Sequence, residues 1–471
     1  MRCLVLSLLL VSPTVMACAT YRATPIHAPE LETAYRARTL DNAQLRSFVE
    51  VGVGTGLSTW PPLALDLKTL TFIGYYYSAG LDVARAQVAV AEAGIRAAGA
   101  RVNPDLAVNV GYNGNPESHL EYGLVPAFTL ETAGKRGYRI LRVARPAAAA
   151  RSGLSEAGWL LRSRVRAAFV NHVLATQRLG VLRTEQGVRR EIVEIFDRRL
   201  AVGEAARPEL DVYRVDLITT DAAVRAVTGD VAQTRATLAN AVGVPLAALQ
   251  DVPVESSSLE APPVEEALPI RTLQRAGVLH RADLQRSLAD YAAADAGLRL
   301  ELARQYPDVV LSPGYTFEEG FARYVLGAAL QPLALFHRNQ GPIAVAEAQR
   351  LEAASRFEAL QAQAIGEMER ALVQYRAALE EWREANDRLV GVQRDREDAA
   401  RRALAAGEGD RLSLATVELQ SVTTARVRLD ALTRVQTALG TLEDSMQQPL
   451  EVALSVPDPT RVSPRKAGGS R

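Results

Sequence analysis

The chain has 471 residues, with 54 Lys+Arg against 54 Asp+Glu, 48% hydrophobic residues and only 6% aromatic ones. Zero net charge removes the electrostatic argument for a nucleic-acid partner, and the abundance of alanine suits long, closely packed helices better than a bulky globular core. The 2 cysteines, Cys3 and Cys18, sit at the start, so the body has no thiols for disulfides, metal clusters or redox work.

Residues 1–17 read as a signal peptide. Arg2 charges its first part, and Leu4–Val11 is an apolar run too short to span a bilayer. Val15-Met16-Ala17-Cys18 resembles a bacterial lipobox, which makes Cys18 the lipid-attachment residue; ordinary cleavage near Ala17 or Ala19 is the alternative. Ala19 after the cysteine favours the outer membrane by the same resemblance. No other run has the apolar length of a transmembrane helix, so a membrane crossing would have to use strands.

Residues 18–65 read as an N-terminal, lipid-anchored arm, extended around Pro25 and Pro29 and helical from Asp41 to Val51. Gly52-Val53-Gly54-Thr55-Gly56 lacks the flanking strand and helix of a phosphate loop and reads as a connector. Asp66 then caps a helix running to about Arg101. From here the chain repeats itself, residues 66–250 against 281–447. Ala93-Gly94-Ile95-Arg96 matches Ala296-Gly297-Leu298-Arg299, and Asn103-Pro104-Asp105 matches Tyr306-Pro307-Asp308.

Each proline ends a helix and introduces strands. In 105–113 and 119–131, Leu106, Val108, Val110, Tyr112, Tyr122, Leu124, Phe128 and Leu130 alternate with small or polar residues. In 308–318 and 322–333, Val309, Leu311, Tyr315, Phe317, Tyr324, Leu326, Ala328 and Leu330 do the same. Period-two alternation over about ten residues suits outer-membrane barrel strands. Four strands cannot close a barrel, and an open edge in lipid leaves backbone groups unpaired. Several chains would therefore share one barrel, and three would supply about twelve strands.

Each strand pair leads into a long helical hairpin. Leu161, Val165, Ala168, His172, Ala175, Leu179 and Leu182 keep a 4-3 rhythm in the first, as do Ala371, Tyr375, Ala378, Trp382, Ala385, Leu389 and Val392 in the second. That rhythm means coiled-coil packing. Pro146 is expected to kink its helix. The hairpins turn near 203–208 and 407–411, where Leu200, Gly203, Glu204 and Leu210 line up with Leu404, Gly407, Glu408 and Leu414. Residues 251–280 read as a linker with a short helix in 267–280, and 448–471 as a disordered tail.

These residues resemble the TolC-like outer-membrane efflux proteins over nearly the whole chain after the signal. Thr129-Leu130-Glu131-Thr132-Ala133-Gly134-Lys135-Arg136 and Gln331-Pro332-Leu333-Ala334-Leu335-Phe336-His337-Arg338-Asn339-Gln340-Gly341 are most similar to the heavy-metal, CzcC-like branch. The resemblance implies a mainly α fold with membrane β: a homotrimer with a twelve-stranded barrel in the outer membrane and a helical tunnel in the periplasm. It implies docking to a periplasmic membrane-fusion (adaptor) protein and an inner-membrane pump of the resistance-nodulation-division (RND) type. The chain would be a conduit without catalysis, serving heavy-metal cations; drugs, other organic compounds or a type I secretion substrate are the alternatives. A soluble periplasmic coiled-coil scaffold is the rival of another class.

The resemblance places the adaptor contact at Val202, Gly203, Glu204, Gly407, Glu408 and Gly409. Glu209, Asp211, Asp410 and Arg411 are the candidate aperture charges, because carboxylates at a narrow tunnel end concentrate cations. Acidic residues are equally at home as helix caps and dipole partners. Ser413 and Thr416 stand where TolC itself carries aspartates, so a carboxylate gate from the second hairpin is not expected. No cofactor or metal site is expected, since His27, His119, His172, His280 and His337 have no ligand spacing. No nucleophile elbow, Walker loop or His-Glu-x-x-His is present.

Overall fold

The computed structural model describes residues 19–54, 59–112, 114, 120–264, 270–333 and 335–450. Cys18, part of the first strand-to-strand turn and almost all of the tail lie outside them. The chain divides into residues 1–39 and the remainder. The first unit contains α1 (Ala28–Arg36), where an extended arm was expected. Pro29 in the first turn fixes a helical φ and gives up only an N–H that has no helical acceptor.

The second unit begins with α2 (Ala43–Val53), whose amides Gln44 and Leu45 donate to the Asn42 side chain. Gly54, at φ 78°, ends it. The helix expected from Asp66 to Arg101 is two helices, α3 (Leu67–Tyr77) and α4 (Ala79–Ala98). Ser78 takes an extended conformation and accepts from Leu81 N–H, so a second cap interrupts a pattern that one cap was expected to start. α3 is buried nearly all round, with Leu70, Phe72, Ile73, Tyr75 and Tyr77 in the main core.

Strands β1 (Asp105–Tyr112), β2 (Leu120–Leu130), β3 (Asp308–Glu318) and β4 (Phe321–Gln331) form one antiparallel sheet in sequence order. The register puts apolar opposite apolar across all four: Val108 faces Leu124, Leu124 faces Tyr315, and Tyr315 faces Tyr324. The other face carries Asn109, Gly123, Thr316 and Arg323 in one row. Glu319 and Gly320, at φ 54° and 84°, make the two-residue turn between β3 and β4. The sheet is open, with β1 and β4 as its edges.

α5 (Lys135–Ala201) and α6 (Arg207–Val242) form the first hairpin. At 1.5 Å per residue α5 is about 100 Å long. It continues through Pro146 without a break. Its predicted stripe is buried at Leu161, Val165, Ala168, His172, Leu179 and Leu182. After the linker come α7 (Ile270–His280), α8 (Ala282–Ala303) and the second hairpin. That hairpin ascends through α9 (Gln340–Arg383), a π-helical turn (Glu384–Leu389) and α10 (Val390–Ala405), then returns as α11 (Arg411–Met446).

The π turn corrects the predicted stripe. Ala371, Tyr375, Trp382 and Ala385 are buried, but Leu389 and Val392 are exposed and Gln393 takes the inward place. A wider turn holds one extra residue, so everything beyond it rotates out by one position. Gln393 then bonds Val417 O and Ser421 Oγ at 3.1 Å each, as a buried amide must.

Helices and sheet are joined by the residues that carried the family resemblance. Lys135 Nζ donates to Asp308 Oδ1 at 2.7 Å and to Tyr306 O at 2.6 Å. Thr132 N–H meets the same Asp308 oxygen at 2.8 Å. Arg136 and Arg139 donate to the free carbonyls of Gly99 and Ala98 at the end of α4. In the second half, the Asn339 amide donates to Glu301 O and Oε2 at 2.8 and 2.9 Å.

The halves are locked together by buried charge. Glu443 of α11 lies between Arg162 and Arg166 of α5, at 2.9 and 3.3 Å, with all three side chains at most 6% exposed. Arg166 also donates to Gln436 O and Oε1 at 3.0 Å, and Gln436 donates on to Leu259 O of the linker at 2.6 Å. Every charge in this cluster has its partners, the condition under which burial is tolerated.

Candidate functional site at the hairpin tips

Both tips are built by one hydrogen-bond pattern. Gly203 N–H reaches Leu200 O and Glu204 N–H reaches Arg199 O, at 3.1 and 2.8 Å. Gly407 N–H reaches Leu404 O and Glu408 N–H reaches Ala403 O, at 3.1 and 2.9 Å. This is the paired closure of a helix on a left-handed residue, and the glycines hold φ 81° and 74°. Nothing lies within 4 Å of where a Cβ would sit on either. Glycine is therefore needed here for its backbone and not for space.

The tips lie side by side. Beneath them Phe196, Ile192, Leu210 and Ala415 form a small apolar core of their own, with Leu412 and Leu419 packed on it. Phe196 stacks on Tyr213 at 4.3 Å between ring centres. Around that core, the Arg199 guanidinium meets Asp410 at 3.2 Å and Arg411 Nε meets Glu191 at 2.9 Å. Both pairs run from the first hairpin to the second.

The structure thus gives the candidate residues different surroundings. Val202, Gly203, Glu204, Gly407 and Glu408 are exposed at the extremity, and Gly409 is half-buried against Ala403. Asp211 is 3.6 Å from Arg214, which also meets Asp197 at 2.8 Å. Glu209 stands exposed in the first turn of α6. Asp410 is the N-cap of α11, accepting from Ser413 N–H at 2.7 Å. The bonds from Ser413, with Arg199 nearby, hold its carboxyl below the ordinary range. Arg411 is held more firmly protonated by its bond to Glu191. Asp410 and Arg411 are therefore committed within the chain, as cap and as links between hairpins.

Sequence reasoning missed one feature here. Glu418 lies behind the tip beside Glu397 and Arg401, and burial followed by the Glu397 charge pushes its carboxyl up. Ser421 Oγ donates to Glu397 at 2.5 Å, and Arg401 pairs with the same carboxylate. A lone glutamate on a helix carries no mark of its burial, so Glu418 gave no signal. His172 is a packed residue: its Nδ1 lies 3.1 Å from Thr234 Oγ1, and burial lowers its basicity. Among the described residues no group of His, Cys, Asp and Glu is arranged to hold a metal, and no helix is long and apolar enough to cross a membrane.

Solved structures of outer-membrane channels share this architecture. The outer membrane protein VceC of Vibrio cholerae superposes with a TM-score of 0.64 at 19% identity, covering 82% of this chain and 97% of that one. The chain has the fold of an outer-membrane channel. CusC, studied for its transmembrane channel formation, gives 0.65 at 19% identity over 83% of this chain and 94% of its own. The channel OprN gives 0.65 at 18% identity over 91% and 98%. No protein-family model matches the sequence, and no curated protein does. The channel fold accounts for both halves of the repeat, each a strand pair continued as a helical hairpin.

Proposed function

We infer that the chain is one third of a trimeric outer-membrane channel, the exit duct of a tripartite efflux system. The observation that carries this is the sheet. Its apolar face is in register across four strands and stands bare, with Val110 72%, Tyr112 76%, Tyr324 84% and Leu326 74% exposed. Both its edges are open. A soluble scaffold would cover such a face, whereas lipid and neighbouring copies complete it. The exposed tips are the contact for a periplasmic adaptor, through which an inner-membrane RND pump delivers cargo. The channel performs no catalysis, takes no cofactor, and is anchored through acylated Cys18.

The cargo is heavy-metal cations on this reading, and the support is the likeness of residues 331–341 to the metal branch. A conduit need not bind what it passes tightly. Deleting the gene and restoring it, on a panel of Zn, Co, Cd, Ni, Cu and Ag salts beside dyes and antibiotics, is the test. Sensitivity to metals alone is expected. Sensitivity to organic compounds alone would overturn the cargo, and unchanged resistance throughout would overturn the efflux role.

A further inference from the structure

The internal duplication says more than that copies meet; it says how. β1 corresponds to β3, with Asp105 on Asp308. Asp105 lies opposite Ala127 and Asp308 lies opposite Gln331, so β2 corresponds to β4 with Ala127 on Gln331. The pairing of β2 with β3 is therefore a template, inside one chain, for the pairing of β4 with β1 of the next copy. β4 runs towards the helices and β1 away from them, so the two edges are antiparallel, as the template requires.

We propose that β4 of one copy joins β1 of the next with Leu330 opposite Val110, clasped by Arg338 of the first copy against Asp105 of the second. The register follows by transfer. Leu124 opposite Tyr315 becomes Ala328 opposite Tyr112, and Phe128 opposite Leu311 becomes Pro332 opposite Val108. Every transferred pair sets like face against like, apolar on apolar at Leu330 and Val110, a condition that a slip of one residue would break along the whole strand. The template ladder has a gap between Leu124 and Phe128, where Pro126 and Pro313 fall and can donate nothing. Their counterparts are Leu330 and Val110, both with N–H groups, and the one proline of the transferred pairs, Pro332, falls just past the end of β4.

The clasp transfers in the same way. Within the chain, Asp308 at the foot of β3 takes Lys135 at 2.7 Å and Thr132 N–H at 2.8 Å. Its counterpart Asp105 is exposed at the foot of the edge strand. By the strand offset the counterpart of Lys135 is Asn339, whose amide is already given to Glu301; Asn339 is also the left-handed N-cap of α9, as Gly134 is of α5. Its neighbour Arg338, exposed and with the longer reach, supplies the cation. The Phe-His-Arg-Asn stretch then has a part in assembly.

This inference rests on the reading of the chain as part of a shared barrel, and the experiment separates the two. In the full-length protein, Leu330→Cys and Val110→Cys are combined, with Leu330→Cys and Val108→Cys as the slipped control. The natural cysteines lie only at 3 and 18. Oxidation is expected to link the first pair between copies into a covalent trimer and to leave the control unlinked. A trimer by size that links only in the control overturns the register alone. A chain that stays monomeric in membranes, with residue 330 open to a lipid-soluble quencher, overturns the shared barrel as well. For the clasp, Arg338→Glu is expected to lower the temperature at which the trimer dissociates in detergent, and adding Asp105→Arg to restore it. Failure of the exchange to restore it overturns the pairing.

Discussion

Gly203 and Gly407 hold φ 81° and 74° with open space around them. Gly407→Ala is therefore expected to cost about 1 kcal/mol through backbone strain alone. Asn, which tolerates this region, should cost less. Denaturant unfolding of the two variants checks the order; equal losses would mean the site needs something other than backbone freedom. Glu418 makes a pH-dependent case. Its folded acidity is weakened by burial and by Glu397. Its contribution is thus fully present below the ordinary glutamate range near pH 4.3 and is lost as pH rises through the raised folded value. Glu418→Gln is expected to raise thermal stability at pH 7.5, with the gain shrinking as pH falls towards 4. A gain independent of pH would show that repulsion is not the cause.

At the scale of elements, the buried Arg162–Glu443–Arg166 cluster fixes α11 to α5. Glu443→Gln leaves two buried guanidiniums short of charge and is expected to destabilise by about 3–5 kcal/mol. Replacing all three by apolar residues of similar volume should recover most of that loss, which unfolding in detergent would read. The sequence made the strands and their faces legible because alternation has only two phases, and Val108, Leu124, Tyr315 and Tyr324 share one. It made the tips legible because the same glycine recurs in both halves. It hid the break at Ser78, since the apolar pattern runs through it and only a side-chain cap divides it. It hid the π turn because no residue type marks an extra residue per turn, and Leu389 and Val392 fit the unshifted rhythm. It carried no sign of the Arg162–Glu443–Arg166 cluster, because a buried ion trio shows itself only when distant helices meet.

For the whole molecule, the decisive question is which solvent meets the apolar sheet face. Leu326 stands on it, 74% exposed, and Thr316 on the opposite face, in register with Gly123 and Arg323. If lipid covers the first face and water the second, a charge should be tolerated on one only. Leu326→Arg is expected to cost about 2–4 kcal/mol near the middle of the bilayer and correspondingly less close to an interface. It should also reduce the protein recovered in outer membranes after carbonate washing. Thr316→Arg should change neither, and should shift conductance or ion preference in planar bilayers, because lumen charges tune passage. Equal tolerance at both positions would mean that neither face meets lipid. The four strands would then be the exposed sheet of a scaffold, and the long hairpins would have to find their role without a channel above them.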